Sequence, residues 1–328
     1  MTPAVRDIIL SNRVAWSFMG DGSRVWDFTR ASDGMRVNPA GSWETIGTNG
    51  LRYDYDPTTG SLRGLLIEPA RENGVRNNTM VGAAVGTPGT LPTNWAASLP
   101  GGLSYAVQAL GTTAIGEEYI DIRVSGTTVG TNLIFRFDTL TQIVAASGQA
   151  WSNSISVGLR AGSLTGITWI YPAMLTHTAA GVYVSVLYGS DIAPSLTFEA
   201  KRFSFSGTLA GGASVERVVP AIQPIFSSGG TLDFTLRIAW SQAELGGFAT
   251  SPIRTAGAAV TRAVDALSLA VPSGTYSVDV IGGSVLLAGT RYTDTVTVTG
   301  TSWSFAWPTA AVTAGERHLQ RVSMRRIG

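Results

Sequence analysis

The chain of 328 residues contains no cysteine and carries little charge. Without cysteine, the protein cannot form disulfide bonds, thiolate nucleophiles or cysteine-ligated zinc and iron–sulfur sites. Charged residues make up 14% of the chain, against about 25% in an ordinary globular protein. The formal net charge is only +1, so no strong overall field attracts nucleic acid or an anionic membrane surface. We therefore expect no nucleic-acid partner, and we expect partners to be recognised locally.

Histidine and lysine are nearly as scarce as cysteine. The two histidines, His177 and His318, lie far apart in the chain, and Lys201 is the only lysine. No serine–histidine–aspartate arrangement can be read from this pattern, and the glycine-rich strings lack the lysine of a phosphate-binding Walker loop. The sequence therefore predicts a protein that is not an enzyme, has no catalytic residues and uses no organic cofactor.

The middle of the chain holds one acidic cluster, formed by Glu117, Glu118 and Asp121. Calcium binds several hard oxygen ligands, so these residues are either part of an ordinary turn or a candidate calcium site at a strand edge. Two carboxylates could also serve a glycoside hydrolase, because acids at catalytic separation can come from any two strands. We rank the turn or calcium interpretation first, and calcium is the one metal retained as a candidate.

Long apolar runs are also missing. No stretch approaches the roughly 20 apolar residues that a membrane-spanning helix requires. The first ten residues contain an arginine and an aspartate before any apolar run, which is untypical of a secretory signal. We expect no membrane insertion, and we expect a protein made in the cytoplasm that leaves it, if at all, without a signal peptide.

Glycine and alternating apolar residues are abundant instead. The chain has 39 glycines and 44% hydrophobic residues, and several segments alternate apolar and polar residues with a period of two. In the clearest, "TLDFTLRIAW", every second residue from Leu232 to Trp240 is apolar. Such strand patterns recur over the middle of the chain without an amphipathic helix. They predict an all-β protein whose main domain is an antiparallel β-sandwich of the jelly-roll kind.

The pattern divides the chain into three predicted domains. Residues 1–76 are rich in turns and charge and predict a small N-terminal β element that serves for attachment. Residues 77–262 begin with an uncharged stretch broken by prolines and continue as the jelly roll. Residues 263–328 restart the alternating pattern and predict a small C-terminal β domain.

Aromatic residues in the predicted sandwich suggest a ligand. Sugar rings present apolar C–H faces, which flat aromatic side chains can cover. The string "TWIYPA" places Trp169 and Tyr171 on one strand face, ahead of a proline that ends the strand near its rim. Together with Trp151 and Tyr183, these two residues are the candidate carbohydrate-binding residues. Each ring could instead fill the core.

The string "RGLLIEPAREN" gathers charge around a short apolar strand. We predict that Arg63, Glu68 and Arg71 form an ion network that joins the N-terminal element to the sandwich, because paired arginine and carboxylate groups fix orientation. We predict a related structural role for Arg30 in "FTRAS" and Arg262 in "VTRAVD", which lie toward the two ends of this region of the chain. A ligand site is the alternative to this structural joint.

Four strings occur in a characteristic order: "VWDFTRASDG" (25–34), "YDYDPTTGSLRGLLIEPAREN" (53–73), "QAELGGFATSPIRT" (242–255) and "AAVTRAVD" (258–265). In this order they closely resemble segments of tailed-phage and prophage structural proteins. In that family a short N-terminal β element leads into a jelly roll like that of a carbohydrate-binding module. The low lysine content and the sugar-binding aromatics also resemble the head spike proteins of gene transfer agents. The family's "RTNLL" ending is replaced in this chain by residues 71–75, "RENGV".

The resemblance implies a virion protein displayed outside the particle and released when the host cell lyses. It implies binding to capsule or lipopolysaccharide glycans during host adsorption, without catalysis, and assembly with other spike subunits, including further copies of the chain. Two alternatives stay open. The protein could be a spacer that joins the particle to a separate receptor-binding subunit, or a polysaccharide hydrolase.

Overall fold

The computed structural model describes residues 6–9, 26–283, 289–313 and 317–327. Strands account for 53% of the structure and helices for 3%, which confirms the predicted all-β class. The described helical segments are one short α-helix and two 3₁₀ turns: α1 Thr309–Thr313, Ala193–Ser195 and Gly212–Ser214. Within the described ranges, no helix combines the length and apolar character needed to cross a membrane.

The strands are numbered in the order in which the chain forms them. The first six are β1 Arg6–Ile9, β2 Trp26–Thr29, β3 Gly34–Val37, β4 Trp43–Ile46, β5 Tyr53–Tyr55 and β6 Leu62–Leu66. The next twelve are β7 Arg71–Asn73, β8 Ala96–Ser98, β9 Leu103–Thr112, β10 Glu118–Thr127, β11 Ile134–Arg136, β12 Ala150–Ser163, β13 Ile167–His177, β14 Tyr183–Tyr188, β15 Lys201–Thr208, β16 Arg217–Phe226, β17 Thr231–Leu245 and β18 Val260–Arg262. The last five are β19 Ala266–Ala270, β20 Gly274–Gly282, β21 Thr290–Val298, β22 Ser302–Ser304 and β23 His318–Arg326.

The contacts divide the chain into two units. Unit 1 combines the residues up to Ala70 with those from Arg262 onward, and unit 2 comprises Arg71–Thr261. The sequence analysis assigns the two ends of the chain to separate domains, whereas in the structure they share sheets: β23 pairs with β6, and β19 pairs with β2. Strand pairing between distant segments leaves no local mark in an alternating pattern, so the sequence did not reveal it.

Unit 2 is a sandwich of two five-stranded antiparallel sheets. Sheet 1 has the strand order β15-β12-β17-β10-β9, and sheet 2 has the order β14-β13-β16-β11-β8. Without the outermost β9 and β8, the orders β15-β12-β17-β10 and β14-β13-β16-β11 are those of a jelly roll, in which the chain passes repeatedly from one sheet to the other. The predicted jelly roll therefore matches the observed strand order.

The core of unit 2 lies between these sheets, where every second residue of the long strands faces inward. From β17, Leu232, Phe234, Leu236 and Ile238 contribute to it. The predicted alternation fails at Trp240, which is buried but lies outside this apolar cluster. The register between β12 and β17 shifts at this point, and Trp240 has a φ of 44°. Such an irregularity is a β-bulge, which re-aims a side chain.

Unit 1 contains a second, smaller core. Its largest sheet has the order β21-β20-β23-β6-β5, and β1 also pairs with β23. A three-stranded sheet, β2-β19-β22, and the hairpin β3–β4 complete the pairing. Fully buried apolar residues from both ends of the chain, including Leu65, Val280 and Val322, form this core.

Candidate functional site

The outer face of sheet 2 carries side chains in rows that run across the strands. Its inner face supplies core residues such as Ile170 and Met174, so the alternate positions of β13 point outward. Strand register places Tyr171 of β13 beside Gln223 of β16. These residues therefore lie together on the surface of the sandwich.

Three aromatic residues on this face form what we call the aromatic strip: Trp169, Tyr171 and Tyr188. The rings of Trp169 and Tyr171 are stacked, with centroids 6.1 Å apart and an interplanar angle of 25°. The ring of Tyr188 on β14 lies 5.0 Å from that of Tyr171, tilted by 45°. Trp169 is 45% exposed and Tyr188 is 41% exposed. The strip therefore offers flat apolar rings to a molecule in solution.

Polar contacts hold the strip in place. The hydroxyl of Tyr188 donates to Oε1 of Gln223 at 3.0 Å. Burial raises the pKa of Tyr188, an effect reinforced by Tyr183 and Tyr171 and opposed by the bond to Gln223, so its hydroxyl stays protonated as a donor. Next to Trp169, the backbone N–H of Ile170 donates to Asp191 at 2.8 Å. These bonds orient the rings before any ligand arrives.

The next row across sheet 2 combines a cation with small residues. Register aligns Arg136 of β11 with Ala221 of β16, then with Ala173 of β13 and Tyr188 of β14. Arg136 is half-buried. It makes no hydrogen bond or ion pair with any residue of the described ranges. Arg136 and the aromatic strip therefore share one face of the sandwich.

The far end of this face carries His177 and Tyr183. Their rings meet edge to face with centroids 6.0 Å apart. His177 is buried, and its Nδ1 has no hydrogen-bond partner among the described residues, whereas Tyr183 is 57% exposed. Burial lowers the pKa of His177, and the positive charge of Arg136 lowers it further. Six residues of extended strand, about 20 Å, separate His177 from Tyr171, so Tyr183 is not part of the aromatic strip.

Trp151, the remaining candidate for sugar binding, lies in the core of unit 2. Only 5% of its surface is exposed, and its indole N–H donates to Oε1 of Gln149 at 3.1 Å. A ligand on the outer face of sheet 2 cannot reach this ring. The sequence analysis could not separate it from exposed rings, because aromatic residues occur on both faces of strands.

The three acidic residues proposed for calcium do not converge. Glu117 accepts from Ser156 at 2.7 Å, and Glu118 accepts from the indole of Trp240 at 2.6 Å. Asp121 forms a two-bond ion pair with Arg237, both bonds 2.8 Å long. No group of three His, Asp or Glu side chains in the described part of the chain could hold a metal ion. The predicted calcium site is therefore corrected to three separate carboxylates, each bound by its own donor.

Unit 1 buries a set of charged side chains that we call the arginine network: Arg30, Arg52, Glu68, Arg262 and Asp265. Oε2 of Glu68 lies 2.9 Å from Nη1 of Arg52 and 2.9 Å from Nη1 of Arg262. Asp265 binds Nη1 of Arg30 at 3.1 Å and binds Arg52 through its other oxygen. All five residues are at most 4% exposed. Three buried guanidinium groups thus share two carboxylates.

Backbone carbonyls balance the excess positive charge of the arginine network. Besides Asp265, Arg30 donates to the carbonyls of Ser32, Ile46, Gly47 and Gly50. Arg262 donates to the carbonyl of Pro69 at 2.7 Å. Burial alone would lower the pKa of Arg52, but the charges of Glu68 and Asp265 outweigh burial and raise it. These contacts join the charged groups to one another and to backbone carbonyls, as expected of a structural role.

Two predicted members of this network have other partners. Arg63 binds Asp56 at 2.9 Å and lies 3.8 Å from Asp54, on the partly exposed side of the β5–β6 hairpin. Arg71 belongs to unit 2, where its guanidinium lies 5.2 Å from the ring centre of Phe248. A Cβ at Gly246, whose φ is 147°, would lie 2.5 Å from that guanidinium. Glu68, Arg30 and Arg262 are in the network, whereas Arg63 is corrected to a pairing within its own hairpin, and Arg71 lies against Phe248 in unit 2.

Sequence reasoning missed residues that the fold brings to both clusters. On sheet 2 these are Tyr188, Gln223 and Arg136. In unit 1 they are Arg52, Asp265 and Arg317, whose Nη1 lies 3.3 Å from Glu68. The alternation in "LIFRFD" places Arg136 on the face opposite Phe135. Nothing local in the sequence shows which strand lies beside it.

No protein-family model and no curated protein matches this chain. Among solved structures, an arabinose-bound α-L-arabinofuranosidase, MgGH51, is similar over 56% of this chain and 26% of its own, with 13% identity and a TM-score of 0.36. The dimeric latent PorU of Porphyromonas gingivalis is similar over 91% of this chain and 25% of its own, with 11% identity and a TM-score of 0.19. This chain spans about a quarter of the length of either protein. At these TM-scores, neither indicates an activity for it.

Proposed function

We propose that this protein binds cell-surface polysaccharide through the aromatic strip on the outer face of sheet 2. The observation that carries the proposal is the stacked pair of exposed Trp169 and half-buried Tyr171, extended by exposed Tyr188. Amphipathic rings held flat at a surface suit sugar rings, whose C–H faces are apolar and whose hydroxyls need polar neighbours. The hydroxyl of Tyr188, held by the buried Gln223, provides such a neighbour within the strip.

The exposure of the strip favours glycan binding over the spacer alternative. A spacer needs its aromatic residues only in the core, where Trp151 and Phe135 lie. Exposed aromatic clusters on a soluble protein usually mark an interaction site. The hydrolase alternative would require two carboxylates beside the strip, and the nearest carboxylate described there, Asp191, accepts backbone N–H groups of Ile170 and Ala193.

The resemblance to phage and gene-transfer-agent spike proteins suggests where this binding occurs. In this proposal the protein is displayed on a phage-like particle, after lysis of the bacterium that made it, and the glycan belongs to the capsule or lipopolysaccharide of the next host. Single sugar sites are weak. Several copies on one symmetric spike would raise the avidity by about 10²- to 10⁴-fold without new contacts.

Replacing Trp169 tests the proposal. We expect Trp169→Ala to weaken binding of the full chain to immobilised capsule and lipopolysaccharide glycans by about tenfold or more, because it removes the most exposed ring of the strip. Phe198→Ala is the matched control, since Phe198 is 58% exposed and stacks on Arg160, which belongs to β12 of sheet 1. Glycan arrays and whole-cell binding by the intact protein provide the measurement.

The proposal fails if the wild-type protein binds no glycan on the array and no host cells. It also fails if Trp169→Ala and Phe198→Ala bind as well as the wild type. Chain length of the glycan after incubation is measured in the same experiment, because progressive shortening would identify a hydrolase instead.

A further inference from the structure

Arg136 differs from the arginines of unit 2 that have carboxylate partners. Arg237 pairs with Asp121, and Arg76 pairs with Asp138 at 2.6 Å. Arg136 is half-buried at the end of β11, yet no carboxylate or carbonyl of the described residues binds it. A partly desolvated cation without a partner is unfavourable. An external anion would remove this cost.

The acidic groups near Arg136 bind other donors. Asp138 is neutralised by Arg76, whereas Glu216 accepts the backbone N–H of Ala179 at 2.8 Å and keeps its own charge. On the adjacent strand β16, Arg217 faces the same end of the sheet and donates to the carbonyls of Thr141 and Glu216. The charge of Arg136 also acts on His177, whose pKa it lowers. This part of the outer face is therefore positive.

The position of Arg136 relates it to the aromatic strip. Arg136 and Tyr188 occupy the two ends of one row, with Ala221 and Ala173 between them. Three strand spacings separate their Cα atoms, about 14 Å, and the two alanines place no long side chain in that interval. Ala221 and Ala173 are 0% exposed and belong to a small buried apolar cluster, so an oligosaccharide that contacts both the guanidinium and the rings would have to lie across the top of this interval.

We propose that the glycan bound by this face is acidic, and that Arg136 binds the carboxylate of a uronic or sialic acid residue while neighbouring sugars stack on the aromatic strip. The planar guanidinium offers two parallel N–H groups that match the two oxygens of a carboxylate. This inference rests on the proposed glycan binding and adds the chemical class of the ligand. A neutral glycan would leave Arg136 without a partner in the complex.

The test compares acidic polysaccharides with their neutral counterparts. The probes are polygalacturonate, hyaluronan, alginate and polysialic acid, each beside a carboxyl-reduced form with the same sugar backbone. We expect the wild-type protein to bind at least one acidic probe about tenfold or more tightly than its reduced form, with an affinity that falls as salt is added. Arg136→Gln should remove that preference, so that the acidic probe binds no more tightly than its reduced form.

Arg123→Gln is the matched control. It removes the same charge from sheet 1 of the same unit, where Arg123 pairs with Asp233 on the surface, so it should leave the preference intact. Urea unfolding of each variant establishes that it is folded.

The outcomes separate this inference from the function on which it rests. Equal binding of acidic and reduced probes, lost in Trp169→Ala, would overturn the inference and leave glycan binding standing. A preference for acidic probes that survives Arg136→Gln would also overturn the inference. Absence of binding to every probe and to host cells would overturn the proposed function and the inference together.

Discussion

At the scale of single residues, this protein places its arginines in two contrasting settings. In unit 1, Arg30, Arg52 and Arg262 are buried against Glu68 and Asp265. Buried ion pairs of this kind specify an arrangement more than they stabilise it, because desolvation offsets much of the attraction. Breaking one is nevertheless costly, since a partner is left charged and buried. In unit 2, Arg136 has no such partner among the described residues, which is why we propose a ligand-binding role for it.

Replacing Glu68 tests how much the arginine network contributes to the stability of the protein. We expect Glu68→Gln to lower the free energy of unfolding by about 3–5 kcal/mol, because Arg52 and Arg262 would then face a neutral amide in a buried site. Urea denaturation followed by tryptophan fluorescence provides the measurement.

Arg63→Gln is the control for Glu68→Gln, because Arg63 lies nearby in the same string but pairs with Asp56 at the surface. Its effect on stability should be much smaller, as for exposed ion pairs generally. Similar losses in the two variants would contradict the assignment of Glu68 to the network and Arg63 to the surface.

At the scale of strands and sheets, local irregularities decide which side chains share a face. The bulge in β17 takes Trp240 out of the apolar cluster and directs its indole to Glu118. The hairpin β13–β14 has a register shift beside His177 and brings Tyr183 against it. Strict alternation predicts neither arrangement, because a bulge adds one residue to one strand only.

His177 should make the stability of the protein depend on pH. Burial, and next the charge of Arg136, lower its pKa in the folded state, so the unfolded state takes up the proton more readily. Its contribution to stability is therefore present above the unfolded pKa of about 6.5 and is lost as the pH falls toward the folded value. We expect the free energy of unfolding to decrease between about pH 7.5 and pH 5.

His177→Asn should reduce that decrease, because asparagine does not titrate. Urea unfolding of both proteins at each pH measures the difference, and the value near pH 7.5 establishes that the variant folds. An identical pH dependence in the two proteins would show that His177 is not the group responsible.

At the scale of the whole molecule, the two units differ in how many segments of the chain form them. Unit 2 is one continuous segment with its own core, whereas unit 1 is assembled from both ends of the chain. This difference follows from the pairing of β23 with β6 and of β19 with β2. The predicted boundary at 76/77 falls close to the start of unit 2, whereas the separation of 1–76 from 263–328 does not correspond to the observed grouping.

Residues 71–261 should therefore fold as an isolated fragment. We expect a single cooperative unfolding transition in urea, because the fragment retains both sheets and the core between them. A fragment of residues 1–70 should show no cooperative transition. The strands β20 and β23, which belong to the same sheet as its β5 and β6, come from the other end of the chain. Circular dichroism, recorded as urea is added to each fragment, measures whether its unfolding is cooperative. A non-cooperative transition in 71–261 would contradict the division into units.

The sequence by itself determined the all-β class, the jelly-roll region and the shared strand face of Trp169 and Tyr171. These are local properties, because the period of two and the turn residues act over a few positions. Only the tertiary structure decided that Tyr188 and Arg136 share a row, that Trp151 is buried, and that Asp265 completes a network with Arg30. Each of these depends on the register between distant strands, which hydrogen bonding and core packing set together and which no short stretch of sequence encodes.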